Sequence, residues 1–304
     1  MQAQLTYHQL VDEFVAEQPE WCERTCDWGR ARLKPFVEFL SKEGITDPKA
    51  IEARHINRFL GILHKAKLSW STRNGTYTVI RQFCRWMRRR RIIDDNPFSD
   101  PDNGLKRPRK VRKEIKPLPV RYMRQMIAAT REDDSPIARR DEAIMYVLAT
   151  TGVRREEIVE LTFDKIDLEC RTIQVRGKGG HERPAFLRDD TLVALQEWLD
   201  IRPATKAATV FVSMHPNKKG MYQPLEPDAI NGLLIRWRNV AGLPNMSVSP
   251  HKWRHTFATY ASRAGNPFAL QILMGHSDMK TTKIYVHPDD DELRRVALDF
   301  GPEL

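Results

Sequence analysis

Two arginines, two histidines, a lysine and a tyrosine recur in the second half of this chain in an order suited to phosphodiester chemistry. They are Arg154 in Thr151-Gly152-Val153-Arg154, Lys178 in Gly177-Lys178-Gly179, His251 and Arg254 in His251-Lys252-Trp253-Arg254-His255, His276 in Met274-Gly275-His276, and Tyr285 in Ile284-Tyr285-Val286, with Glu157 three residues after Arg154. Breaking a phosphodiester by transesterification needs a nucleophile, neutralisation of the charge building on the non-bridging oxygens, and a proton for the departing oxygen. The guanidinium forks of Arg154 and Arg254 match two phosphate oxygens at once and stay charged at every workable pH, which makes both candidate phosphate clamps. Imidazole titrates nearest neutral pH, so His251 and His276 are suited to donate to the phosphate or to shuttle the tyrosine proton. Tyr285 is the candidate nucleophile.

Other chemistries fit these residues less well. Gly177-Lys178-Gly179 is not a P-loop, because G-x-x-x-x-G-K-[ST] is absent. His251 and His255 have the spacing of a zinc pair, but Lys252 stands where H-E-x-x-H requires glutamate, which argues against a metalloprotease. Cys22 and Cys26 would share one helical face, yet no second ligand pair lies near them, so no metal site is expected.

The 304 residues suggest two domains, each able to bury a core. A net charge of +10 points to a polyanionic partner, and its clustering points to nucleic acid. Four cysteines without paired spacing indicate a reduced, intracellular protein. No apolar run approaches the roughly 20 residues needed to span a bilayer. The N-terminus, with Asp12, Glu13 and Glu17, is unlike a signal peptide. The expectation is a cytoplasmic protein, nucleoid-associated when bound to DNA, with no membrane partner.

Helices must position these groups. Residues 5–95 read as Tyr7 to Glu17, Trp21 to Glu43, Ala50 to Lys65 and Trp70 to Arg91, punctuated by Gly44, Asp47-Pro48 and Asn96-Pro97. On the last of them Arg81, Arg85, Arg88 and Arg89 gather on one side while Val79, Phe83 and Trp86 gather on the other, so the apolar side packs and the basic side faces phosphate or water. Lys106, Arg107, Arg109 and Lys110 belong to a stretch too charged and proline-interrupted to pack as a core helix, read as a basic interdomain linker able to follow a phosphate backbone. Beyond it come helices at Val120 to Thr130 and Arg139 to Thr151. Strands follow around Phe163 to Asp167, Thr172 to Val175 and Arg183 to Leu187, the last two flanking a glycine-rich hairpin turn with Lys178 at its tip. Helices return at 190–201, 227–240, 251–264, 267–274, 281–286 and 290–299. Thr281 and Thr282 suit the N-cap of the helix that would carry Tyr285.

The motif series from about Pro117 to the C-terminus resembles the active site of the tyrosine recombinases, the phage-integrase and Xer type of site-specific DNA strand-exchange enzyme. Over residues 1 to about 105 the resemblance rests on length, helical pattern and basic faces. Among the seven tyrosines only Tyr285 has a Gly-His pair ending nine residues before it, as the family's nucleophile does. The resemblance implies a mainly α fold with a small antiparallel β-sheet. It divides into an N-terminal helical core-binding domain over 1–105, a linker over 106–118 and a mixed α+β catalytic domain over 119–304. It implies Tyr285 attack to leave a 3′-phosphotyrosine and a free 5′-hydroxyl, Lys178 as general acid, Glu157 as an orienting group, and strand exchange through a Holliday junction on double-stranded recombination sites. No cofactor is implied. A homotetramer is, joined through a C-terminal tail at residues 290–300, with a second recombinase or directionality factor as a candidate further partner. The N-terminal region leaves no room for an arm-site-binding domain, so a compact Xer-like architecture is expected. A type IB topoisomerase shares the phosphotyrosine chemistry, and a catalytically silent DNA-binding regulator would explain the charge; the presence of Arg154, Lys178, Arg254 and Tyr285 together weighs against the regulator.

Overall fold

In the computed structural model, which describes residues 6–100, 102, 104–109, 116–177, 180, 182–264 and 266–275, the chain divides into two units, Met1–Glu114 and Ile115–Leu304. Among the described residues the first unit holds four α-helices: α1 (Tyr7–Ala16), α2 (Glu23–Lys42), α3 (Ala53–Lys65) and α4 (Trp70–Arg89). Side-chain caps start two of them. Thr6 and Gln9 close a reciprocal capping box on α1, and Ser69 accepts from the Thr72 amide on α4. Phe14 of α1 meets Phe83 and Trp86 of α4 edge-on, with centroids 5.4 and 5.8 Å apart, at the centre of the core.

The division of α4 is as the periodicity requires: Val79, Phe83 and Trp86 are buried, while Arg81, Arg85, Arg88 and Arg89 are exposed. Lys106, Arg107 and Arg109 are exposed too, but the chain there is fastened rather than free. Asn57 donates to the Gly104 carbonyl (3.1 Å), Arg107 Nε to Asn74 Oδ1 (2.8 Å), and Trp70 Nε1 to the Pro108 carbonyl (3.0 Å). Lys110 lies outside the described residues.

The second unit contains α5 (Val120–Thr130), α6 (Pro136–Thr151), α7 (Arg155–Val159), strands β1 (Ile166–Asp167), β2 (Thr172–Arg176) and β3 (Glu182–Phe186), then α8 (Asp189–Ile201), α9 (Pro227–Val240), α10 (Pro250–Ala261) and α11 (Pro267–Met274). Helix α6 is central, packed by α5, α8 and α10, and buries Ala138, Ile144, Met145, Val147 and Leu148. The sheet is antiparallel in the order β1-β2-β3, with Ile173 opposite Ala185 and Val175 opposite Arg183. Ile173, Val175, Arg183 and Ala185 all point inward. The fold is therefore mainly α with a small antiparallel sheet. No helix among the described residues is long and apolar enough to cross a membrane.

Several elements differ from the sequence reading, and four of the differences have a clear local reason. Helix α3 begins at Ala53 rather than Ala50, because Asp47 accepts from the Lys49 amide and closes Pro48–Ala50 into a 3-10 turn. Helix α6 begins at Pro136 rather than Arg139, since Ser135 caps the Ala138 amide and proline fits the first helical position. The strand expected at Phe163 to Asp167 is a 3-10 turn over Phe163–Lys165 followed by a two-residue strand. The five-residue α7 was not anticipated, being too short to show periodicity. The helices expected at 281–286 and 290–299 lie outside the described residues.

Candidate active site

Arg154 takes its place from the end of α6. Gly152 caps that helix in the left-handed region (φ 64°), the chain reverses, and Arg154 becomes the N-cap of α7. Glu157, at the third position of α7, accepts from the Arg154 amide at Oε2 (2.7 Å) and from Arg154 Nη1 at Oε1 (2.8 Å). An acidic side chain there satisfies one of the orphan amides of a helix start and lies at the positive end of its dipole.

Glu157 also serves a residue that the motif reading passed over. Arg183, on the inward face of β3, donates from Nη1 to Oε1 (3.0 Å) and from Nη2 to Oε2 (2.9 Å) of the same carboxylate. Both side chains are buried, Arg183 at 6% and Glu157 at 3% exposure. Burial pushes the Glu157 pKa up; the hydrogen bonds from Arg183 and from the Arg154 amide, with the Arg183 charge, outweigh it, and the carboxyl sits below its ordinary range.

Arg254 is held from the other side. Ser249 caps α10 and Pro250 opens it, which sets Arg254, 5% exposed, against the ends of two helices. Its Nη1 donates to the Gly152 carbonyl (2.6 Å) and its Nη2 to the Met274 carbonyl. Three guanidinium groups thus converge on the C-terminus of α11: Arg183 Nε on Leu273 O (2.9 Å), Arg254 on Met274 O, and Arg154 Nη2 on Gly275 O (3.1 Å). The last carbonyls of a helix lack intrahelical partners and carry its negative dipole end, so they are natural acceptors for cations. One helix end fixes all three arginines.

His251 lies one turn before Arg254 on α10 and reaches solvent. Its pKa is lowered, first by partial desolvation and then by the positive charges of Arg254, His255 and Arg154. His255 turns inward and is buried. Among the described residues no three His, Cys, Asp or Glu side chains gather into a metal-binding group. Lys178, His276 and Tyr285 lie outside the described residues. In the sequence, the nearest described residues are Gly177 and Gly180 for Lys178 and Gly275 for His276 and Tyr285.

Residues 118–292, more than half the chain, match the model of the phage integrase family. The chain belongs to the phage integrase family. It is a tyrosine recombinase, an enzyme that breaks and rejoins DNA in site-specific recombination. A relative named tyrosine recombinase XerC from Alcanivorax borkumensis is 32% identical over 235 residues, 77% of this chain and 74% of its own. The Pseudomonas aeruginosa PAO1 protein of the same name is 30% identical over 285 residues, 93% of this chain and 90% of its own. In fold, the recombinase is similar to the Tn1549 transposon integrase solved in complex with transposon right end DNA, with a TM-score of 0.73 and 20% identity covering 98% of this chain and 100% of that one.

The sequence of the recombinase did hold a signal for Arg183. In Glu182-Arg183-Pro184-Ala185-Phe186 the inward positions of the strand are 183 and 185, and an arginine in a core slot demands a buried partner. Nothing in the sequence pointed to the carbonyls of Gly152 and Met274, since backbone acceptors look alike at every position. Gly152 also carries a packing constraint: a Cβ there would lie 2.3 Å from Cδ1 of Phe257, one turn beyond Arg254 on α10. Gly152→Ala in the recombinase is expected to cost about 3 kcal/mol, from left-handed backbone strain and displacement of that ring. Urea denaturation checks it; a loss under about 0.5 kcal/mol would mean that the ring yields freely.

Proposed function

We propose that the phenolic oxygen of Tyr285 attacks a DNA phosphate, forming a 3′-phosphotyrosine bond as the bond to the 5′ oxygen breaks. Arg154 and Arg254 hold the non-bridging oxygens and stabilise the charge that builds on them. Lys178, from the glycine-rich turn, gives its proton to the leaving 5′ oxygen. His251, with its lowered pKa, and His276 serve the phosphate or take up the phenolic proton. Glu157 orients Arg154. The 5′-hydroxyl of a partner strand then attacks the phosphotyrosine, which retains the ester energy, so that strands exchange through a Holliday junction without ATP.

The observation that carries this reading is the fixing of Arg154 and Arg254 to the C-terminus of α11, because preorganised charge is what an in-line displacement at phosphorus needs. In the wider reading, residues 1–105 form a core-binding domain and 119–304 the catalytic domain, joined by the basic linker at 106–118. Arg81, Arg85, Arg88, Arg89, Lys106, Arg107, Arg109 and Lys110 follow the phosphate backbone of a double-stranded site. Four protomers assemble on two sites through the tails at 290–300, with a second recombinase or directionality factor joining where the sites demand it.

Nicked suicide substrates carrying candidate sites test the chemistry. The expected product is a protein–DNA adduct on a denaturing gel, formed in chelator without ATP and leaving a free 5′-hydroxyl. Tight binding with no adduct on any site would overturn the reading in favour of a DNA-binding regulator.

A further inference from the structure

Charge counting around Glu157 assigns Arg183 a task of its own. The carboxylate is buried and shared: Oε1 accepts from Arg154 Nη1 and Arg183 Nη1, Oε2 from the Arg154 amide and Arg183 Nη2. With Arg154 alone, Glu157 would form a neutral pair, and the phosphate would meet a clamp whose charge is already cancelled at close range. With Arg183 the cluster of two guanidiniums and one carboxylate keeps one net positive charge. Arg154, the more exposed of the two arginines with its side chain at 33% against 6%, is the one able to present that charge.

Arg183 is a mechanical bolt as well. Its Nε donates to Leu273 O, and a Cβ on Gly275 would come within 3.1 Å of that Nε, so the guanidinium lies close against the cap of α11. In the sequence Arg183 stands five residues beyond Lys178, and Gly275 directly precedes His276.

We propose that Arg183 is the positioning residue of this site: it offsets the charge of Glu157 so that Arg154 faces the phosphate as a cation, and it ties strand β3 to the helix end preceding His276. With its Nε, Nη1 and Nη2 all engaged by the Leu273 carbonyl and Glu157, it acts through other groups. The inference rests on the phosphate-clamp reading of Arg154.

Single-turnover cleavage of a suicide substrate by the full chain tests it, with Arg154→Ala as the reference. Arg183→Gln is expected to cleave about a hundredfold more slowly while binding the duplex site as wild type does. Adding Glu157→Gln to that variant removes the carboxylate charge and restores the net positive balance, so the double variant is expected to regain about tenfold. A merely structural role predicts the opposite, since the second substitution would only remove further hydrogen bonds. Arg183→Lys, which keeps the charge and loses the fork, is expected to stay within about tenfold of wild type; it serves where Arg183→Gln fails to fold. Cleavage by Arg183→Gln within threefold of wild type, no recovery in the double variant, or an Arg183→Lys defect as deep as that of Arg154→Ala would each overturn the inference. Wild-type cleavage by Arg154→Ala would instead sink the clamp reading itself, which keeps the two failures distinguishable.

Discussion

Arg254→Lys slows single-turnover cleavage by about a thousandfold, the loss expected when a preorganised donor to a transition-state oxyanion is removed. The reason is the shape of the anchor. A guanidinium bridges the Gly152 and Met274 carbonyls in one rigid plane, whereas an ammonium on a flexible stem keeps the charge but cannot span both acceptors in a fixed plane. Arg254→Ala loses the charge too and leaves two buried carbonyls without this partner, at about 1–3 kcal/mol each, so it should also melt earlier. Adduct formation with denaturation of the same preparations separates the two effects. Cleavage by Arg254→Lys within tenfold of wild type would show that charge alone suffices and that the forked geometry is incidental.

Tyr285→Phe should bring covalent adduct below detection, a loss on the order of 10⁴ or more, as for other nucleophile deletions. Binding of the uncut site should be unchanged, because one hydroxyl is removed while every arginine proposed to contact phosphate remains. The comparison is the more informative beside Arg254→Lys, which leaves Tyr285 in place and alters only the proposed phosphate clamp. An adduct that survives in Tyr285→Phe would place the nucleophile on another side chain, and peptide mapping of that adduct would identify it.

Much of the scaffold was readable in one dimension. The packing of α4 through Val79, Phe83 and Trp86 with Arg81, Arg85, Arg88 and Arg89 outside follows from a period of 3.6. Helix α5 begins and ends where expected, at Val120 and Thr130. Short or capped starts were less legible: α3 and α6 turned on the side-chain caps of Asp47 and Ser135, and α7 on Glu157 reaching back to Arg154. Such bonds fix one turn each and leave no repeating pattern.

What the sequence determined by itself is the family: arginine, lysine, histidine and tyrosine stand in its order, recognisable because reactive groups must be of particular types. What only the tertiary structure decided is their electrostatic company. Arg183 lies 26 residues from Glu157 and 90 from Leu273, yet it touches both. Arg254 finds its acceptors on Gly152 and Met274, 102 and 20 residues away. Those partners are backbone carbonyls and a buried ion pair. The carbonyls are present at every residue, and the ion pair becomes special only when folding removes water from around it.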